Sequence, residues 1–175
     1  NSSTIVPNEG VTELGAVEDA TGMMIGTLVV DDVTNGVYKV ISATEVQYKK
    51  MVSNKAISIV PSTVTLNGKK YKVISIADKA FANNKMLKKI IITANIERIG
   101  KKAFYNCKNL KTVIIKTKSL RQSSVGIKAF KGINAKAKII VPQRKKKYYR
   151  NILIKSGVKK KAKFKSLQKA ALKIA

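Results

Sequence analysis

Residues 76–81 read IADKAF, and the same pattern returns as IGKKAF at residues 99–104 and as VGIKAF at residues 125–130. The second copy begins 23 residues after the first, and the third begins 26 residues after the second. Self-similarity at a period of about 20–29 residues predicts a repeat architecture in which each copy forms one structural unit. The spacing of these tags therefore sets the length of the unit from which the chain is built.

Each repeat continues in the same register beyond its Phe. Apolar residues stand nine and eleven positions after Phe104, at Val113 and Ile115, and the other two copies are also apolar at these offsets. Residues two apart lie on the same face of a strand. The pattern predicts a short helical turn around each Ala-Phe pair, then strands over residues 87–93, 110–116 and 136–141.

One such unit cannot bury its apolar face alone, so neighbouring units must stack and align their Phe and Ile/Val positions into internal rows. The predicted fold class is an α/β repeat solenoid of the leucine-rich-repeat type, with its short strands in a parallel sheet. The small residues at the second tag position, Ala77, Gly100 and Gly126, predict a tight turn where the backbones of successive units approach closely.

The motif Ile-Gly-x-x-Ala-Phe-x-x-Cys-x-x-Leu, followed by a short apolar strand, occupies residues 99–115. It resembles the BspA-like (treponemal-type) leucine-rich repeat, and residues 38–165 resemble the carboxy-terminal repeat region of surface proteins from Gram-positive gut anaerobes. The resemblance implies a secreted or cell-wall-associated, extracellular protein whose repeats serve adhesion to proteins or glycans. The flanking repeats depart from the motif, because Asn84 and Ile133 replace the Cys and Lys136 replaces the Leu.

The chain is expected to contain an arm and one repeat domain. Residues 1–22 hold few large apolar side chains and are interpreted as a linker or extended arm. Residues 23–175 are interpreted as a single leucine-rich-repeat domain. Its expected parts are a degenerate repeat at 43–75, repeats at 76–98, 99–124 and 125–142, and a C-terminal cap at 143–175. No apolar stretch approaches the roughly 20 residues of a membrane span, and no signal peptide is present in these residues, although a removed one is compatible with them.

The first repeat is assigned from spacing alone. Ile57 and Ile59 lie nine and eleven positions after Tyr48, which predicts that both point inward. Pro61 follows Ile59 by two positions, whereas the Pro of the last repeat follows its strand by one. The link at residues 117–124 is polar and three residues longer than its counterpart, which predicts a loop on an outer edge.

Two β-hairpins are predicted before the second repeat, because strand-forming runs flank turn-forming residues. The runs are residues 26–31 and 37–46 around Asn35-Gly36, and residues 63–66 and 70–74 around Asn67-Gly68.

An amphipathic helix over residues 143–156 is predicted at the other end of the chain, with Gly157 ending it and a closing strand around Phe164. Tyr148 and Tyr149 are expected to contribute to its apolar stripe. This helix would cover the open end of the repeats.

The residue content argues against catalysis. The chain has no His, which removes the Ser-His-Asp and Cys-His nucleophile systems and the commonest metal ligand. It has no Gly-rich phosphate loop, and the acidic turn at residues 31–36 lacks the final Glu of a calcium loop. Cys107 falls at an internal repeat position and is expected to be a packed thiol. We therefore predict a non-catalytic protein without a cofactor or metal.

The candidate binding site is the strand face that does not point inward. Ile91, Ile114 and Ile140 would align across adjacent strands as an apolar stripe bordered by lysines, which is typical of an interaction surface. The alternative left open is that the N-terminal arm or another chain covers this face. The predicted binding residues are Lys89, Ile91, Thr93, Thr112, Ile114, Lys116, Lys138 and Ile140.

Charge narrows the choice of partner. Residues 1–38 carry six acidic and no basic residues, whereas residues 39–175 carry 36 basic and three acidic residues, so the net charge is +27. Such a field attracts polyanions. Only four of the basic residues are Arg and Trp is absent, which disfavours nucleic acid as the partner.

The predicted function is extracellular binding of a host or wall protein or an acidic glycan. The alternatives are non-specific binding of a polyanion (wall polymer or nucleic acid) and a passive structural spacer.

Overall fold

The computed structural model describes residues 3–6 and 23–168, which form two β-sheets and one short α-helix. Most of the predicted arm, residues 7–22, and the end of the predicted cap, residues 169–175, lie outside the described residues. The strands are β1 (Ser3–Val6), β2 (Leu28–Asp31), β3 (Gly36–Val40), β4 (Glu45–Met51), β5 (Ile57–Val60), β6 (Thr63–Leu66), β7 (Lys69–Ile76), β8 (Lys89–Ile92), β9 (Arg98–Ile99), β10 (Thr112–Ile115), β11 (Lys138–Val141) and β12 (Lys163–Ser166), and the helix is α1 (Lys146–Lys155).

The three strands that follow the repeat tags, β8, β10 and β11, lie with β5 and β12 in a five-stranded parallel sheet in the order β12-β11-β10-β8-β5. Alternate side chains in these strands are buried, as two-residue spacing requires. The three strands predicted from the repeat register are confirmed, although each begins two residues later than predicted. Each repeat therefore adds one strand to one sheet.

The N-terminal half forms a mixed sheet in the order β1-β2-β3-β4-β7-β6, with β9 also pairing to β7. Both predicted hairpins are confirmed. Asn35, Asn67 and Gly68 adopt the left-handed backbone conformation that such turns require, with φ of 55°, 46° and 78°. The run predicted at residues 37–46 is instead divided between β3 and β4.

The tag phenylalanines stack on one another inside the molecule, as predicted. The rings of Phe81 and Phe104 lie 4.9 Å apart at 9°, and those of Phe104 and Phe130 lie 5.0 Å apart at 12°. Tyr48 extends the row, 5.3 Å from Phe81, and Tyr38 ends it edge-on, 5.5 Å from Tyr48. All five rings are buried. The repeated Phe is therefore the centre of the core.

The backbone around each Ala-Phe pair is a series of turns, so the predicted helical turn is wrong. The Phe81 amide donates to the Ala103 carbonyl at 2.7 Å, and the Phe104 amide donates to the Ala129 carbonyl at 2.7 Å. Because these amides bond to the next repeat, they cannot bond back along their own segment as a helix requires. One lysine in each tag also has a positive φ, of 56°, 54° and 57° at Lys79, Lys102 and Lys128.

The tag glycines allow this close stacking, as predicted. A Cβ atom on Gly100 would lie 2.4 Å from the Asp78 backbone nitrogen, and one on Gly126 would lie 2.3 Å from the Lys101 backbone nitrogen. Neither distance leaves room for a side chain, so these positions require Gly for the spacing of the repeats.

The register predicted for the first repeat is wrong by one residue. Ile57 pairs with Lys89 and Ile59 pairs with Ile91, so both isoleucines share the outward face, while Ser58 and Val60 point inward. The segment between Tyr48 and this strand is one residue longer than in the next repeat. A shift of one residue moves every side chain of a strand to the opposite face.

The C-terminal end is covered by α1 and β12, as predicted. The helix is preceded by a 3-10 turn at Gln143–Lys145. Tyr149 is buried, its hydroxyl donates to the Thr117 carbonyl at 2.8 Å, and burial raises its pKa to about 12. Tyr148 is 42% exposed and does not belong to the buried stripe. The loop at residues 117–124 is also less peripheral than predicted, because Thr117 and Leu120 are buried.

Candidate binding surface

The parallel sheet turns two rows of side chains outward, and these rows define the sheet face. The first row is Ile57, Lys89, Thr112, Lys138 and Lys163. The second row is Ile59, Ile91, Ile114, Ile140 and Lys165.

The sheet face changes from apolar to basic along its length. At the β5 end, Ile57 is 57% exposed and Ile59 is 49% exposed. Three half-buried isoleucines continue the second row across the central strands. At the other end, Lys138, Lys163 and Lys165 are exposed. A partner lying across the strands would meet a stripe of isoleucine and then a group of ammonium charges.

Six of the eight predicted binding residues lie in these two rows: Lys89, Ile91, Thr112, Ile114, Lys138 and Ile140. Lys116 is half-buried and directly follows β10. Thr93 is not on the face. It is buried, and its hydroxyl donates to the Val60 carbonyl at 2.7 Å, so it links two neighbouring repeats. The prediction that Thr93 belongs to the binding face is therefore wrong, because the alternation of inward and outward side chains ends with β8.

Four residues of the face were missed by the sequence reasoning: Ile57, Ile59, Lys163 and Lys165. The isoleucines were assigned inward, but the spacing of Pro61 carried a signal. Pro61 directly follows Val60, as Pro142 directly follows Val141, and this equivalence gives the observed register. The two lysines flank Phe164, the one apolar side chain of β12. Because side chains alternate along a strand, an inward Phe164 places both lysines on the outward face.

The described part of the N-terminal arm does not lie on the sheet face. β1 pairs with β2 in the mixed sheet, in the register Ser3 to Asp31 and Val6 to Leu28. This arrangement is against the alternative in which residues 3–6 cover the isoleucine stripe.

Two polar groups singled out in the sequence have structural partners. The Cys107 thiol is buried and donates to the Phe81 carbonyl at 2.9 Å, and burial raises its pKa to about 11. Asp31 accepts from the amide and hydroxyl of Thr34, at 3.0 and 2.6 Å, and so closes the first hairpin turn. Among the described residues, no group of three His, Cys, Asp or Glu is placed to hold a metal ion.

The model of the family described as "BspA type Leucine rich repeat region (6 copies)" matches residues 53–169. The chain belongs to this family. The repeats also match a leucine rich cell surface protein from Faecalibacterium prausnitzii, with 18% identity and a TM-score of 0.51, covering 80% of this chain and 42% of that one. A leucine-rich repeat protein from Bacteroides capillosus matches with 16% identity and a TM-score of 0.53, covering 79% of this chain and 98% of that one.

No curated protein matches the chain. At these identities the two crystal structures show that this BspA-type chain has a leucine-rich-repeat fold. The chain spans less than half of the F. prausnitzii protein. In the described part of the chain, no helix has the length and apolar character of a membrane span.

Proposed function

We propose that this BspA-type chain is a non-catalytic binding module of a bacterial surface or secreted protein, and that its sheet face binds an acidic protein. The observation that carries the proposal is the combination of exposed Ile57 and Ile59 with exposed lysines on one face. The F. prausnitzii relative, described as a cell surface protein, supports the location. The proposal extends to an acidic glycan only at the basic end of the face.

The apolar end favours a protein over a glycan. Burial of isoleucine against apolar surface is favourable by about 25 cal/mol per Å² removed from water. A protein partner offers large apolar side chains, and binding energy concentrates where such anchors meet. A sugar chain presents mainly hydroxyl groups to the same stripe. The partner therefore combines an apolar anchor with carboxylates nearby.

The basic end sets the rate of encounter. Exposed lysines attract an acidic partner as it approaches, and salt at 0.1–0.15 M screens this attraction beyond about 8–10 Å. Raising the salt concentration should therefore slow association more than it speeds dissociation. The apolar contacts should depend little on salt.

The test selects random peptides on phage against the immobilised 175-residue chain and measures the affinity of the selected peptides by fluorescence anisotropy. Enriched peptides should carry Asp or Glu beside a large apolar residue. The double variant Ile91→Glu/Ile114→Glu should weaken them by about tenfold or more, because it places charge in the apolar stripe. The control Ile127→Glu alters an isoleucine that is 70% exposed and outside the sheet, and should leave affinity unchanged. Thermal unfolding of each variant verifies folding.

Three results would contradict parts of the proposal. If the double variant and Ile127→Glu lose peptide affinity equally, the binding site does not lie on the sheet face. If no selected peptide depends on Ile91 or Ile114, the passive spacer becomes the better reading. Affinity that follows peptide charge alone would favour non-specific polyanion binding.

A further inference from the structure

An open cavity of about 950 Å³ lies outside the sheet face, bordered by β9, the loop after β10 and the start of α1. The side chains used below are Glu97, Arg98, Lys118, Arg121, Lys145 and Tyr148. None of them belongs to the parallel sheet. We call this cavity and its rim the basic cleft.

The wall of the basic cleft is the loop that is three residues longer than its counterpart. It is held in place by hydrogen bonds at several points. The Leu120 amide donates to the Tyr149 hydroxyl at 3.2 Å, and the Gln122 amide donates to the Tyr148 hydroxyl at 3.1 Å. The Arg121 amide donates to the Ser124 hydroxyl at 2.9 Å. The extra residues therefore build a fixed wall, and fixed walls lower the entropic cost of binding.

Arginine is concentrated in this cleft. Of the four arginines in the chain, Arg98 and Arg121 both line it, and both are exposed. Within the described residues neither forms an ion pair. Lys118 and Lys145 add two ammonium groups. A guanidinium binds a carboxylate through two parallel hydrogen bonds, so two unpaired arginines on one cavity favour a carboxylate ligand.

A smaller cavity of about 270 Å³ shares Arg98 with the basic cleft and adds the neutral polar side chains of Gln47 and Ser75, beside the oppositely charged Asp78 and Lys101. Gln47 pairs with Ser75, and Ser75 pairs with Arg98, so these three side chains come from neighbouring parallel strands. Amide and hydroxyl groups can both donate and accept hydrogen bonds. Such groups suit the hydroxyls of a sugar chain on one side of a bound carboxylate.

We propose that the basic cleft binds an acidic oligosaccharide that carries carboxylate groups, such as a chain of uronic acids. Arg98 and Arg121 bind the carboxylates, and Gln47 and Ser75 bind sugar hydroxyls. Glu97, the carboxylate that lines the basic cleft, accepts from a sugar hydroxyl. Tyr148 supplies one ring, which is too few for successive bases to stack. The site is separate from the sheet face and does not depend on that proposal.

The experiment titrates the 175-residue chain with a short oligogalacturonate and measures binding by microscale thermophoresis. The variant Arg98→Gln/Arg121→Gln should lower affinity by about tenfold or more, because two bidentate contacts are lost. The control Arg144→Gln/Arg150→Gln removes the same charge from arginines outside the cleft and should change affinity less than about twofold, as expected for screened surface charge. Arg98→Lys keeps the charge but loses the planar fork, so it should weaken binding measurably.

The choice of probe separates the ligand classes. Methyl-esterified oligogalacturonate lacks the carboxylate charge and should not bind. Oligothymidylate should bind more weakly than oligogalacturonate and should lose affinity equally in both double variants. Equal loss of oligogalacturonate affinity in the two double variants would overturn the proposal, because it would show a diffuse charge effect. Tighter binding of oligothymidylate in the cleft would overturn the assignment to a sugar.

Discussion

Strands pair in different ways in the stacked repeats and in the N-terminal mixed sheet. In the repeats, each strand pairs with an equivalent strand more than 20 residues away, as Val113 does with Ile90 and Ile139. In the mixed sheet, β2 and β3 pair across a tight turn, and so do β6 and β7. The first arrangement depends on the presence of a second copy, whereas the second depends on local turn residues.

Tyr48 belongs to both regions. It lies in β4, which pairs antiparallel with β3 and parallel with β7, and its ring stacks on Phe81. Each repeat is therefore stabilised by its neighbours, whereas a hairpin can pair its two strands alone. The following substitutions test that difference in order of expected effect.

Phe104→Ala should cause the largest loss. Phe104 lies between Phe81 and Phe130, so its removal leaves a cavity that both neighbours line. The free energy of unfolding should fall by about 3–5 kcal/mol, measured by urea denaturation.

Hydrogen exchange on the Phe104→Ala variant tests how the loss spreads. Amide protection should fall together at Phe81 and Phe104, because their amides bond to the next repeat, while Val29 in the first hairpin keeps its protection. Uniform loss across both regions would show one cooperative unit and remove the distinction.

Gly126→Ala and Gly68→Ala make the same change in the two regions. In the repeats, the new methyl group would meet the Lys101 backbone nitrogen at 2.3 Å, so the cost should be about 3 kcal/mol. In the hairpin turn, Gly68 has open space around it but a φ of 78°, and the conformational cost alone should be about 1 kcal/mol. Thermal unfolding compares them, and equal costs would contradict the close stacking at Gly126.

Tyr48→Phe should stabilise the junction slightly. The buried Tyr48 hydroxyl makes no hydrogen bond of ordinary length and angle among the described residues, and the nearby Ser58 hydroxyl only partly offsets the effect of burial on its pKa, so its removal should raise stability by about 1 kcal/mol. Burial also raises the pKa of Tyr48 from 10.0 to about 12. The unfolded chain therefore loses this proton first, and the native chain loses stability as pH rises from 10 to 12.

The advantage of Tyr48→Phe should therefore grow above pH 10, as measured by urea denaturation at several pH values. The other tyrosines are the same in both proteins and cancel in the comparison. An advantage that stays constant with pH would contradict the buried phenol.

Much of the fold could be predicted because its strongest signals are local or periodic. The Phe spacing predicted the internal row, and Asn67-Gly68 predicted the second hairpin. The sheet face was only partly predicted, since Ile57 and Ile59 were assigned inward from an offset that ignored one extra loop residue. A period counted along the chain cannot distinguish an inward from an outward isoleucine when the preceding loop changes length.

The predicted helical turn at the tags failed for a related reason. The Lys-Ala-Phe sequence suits a helix locally, and only the position of the next repeat determines where the Phe81 and Phe104 amides bond. The basic cleft could not be predicted from the sequence, because Arg98 and Arg121 are 23 residues apart and line one cavity only when the repeats stack.

Residue order alone specifies the length of the repeat, the phenylalanines of the internal row and the need for a small residue between repeats, because each follows from periodicity or from steric limits within one unit. The stacked repeats were needed to show that Ile57 and Ile59 also face outward and which cations share a cavity. These depend on the register between units, and one residue of loop length is enough to change that register.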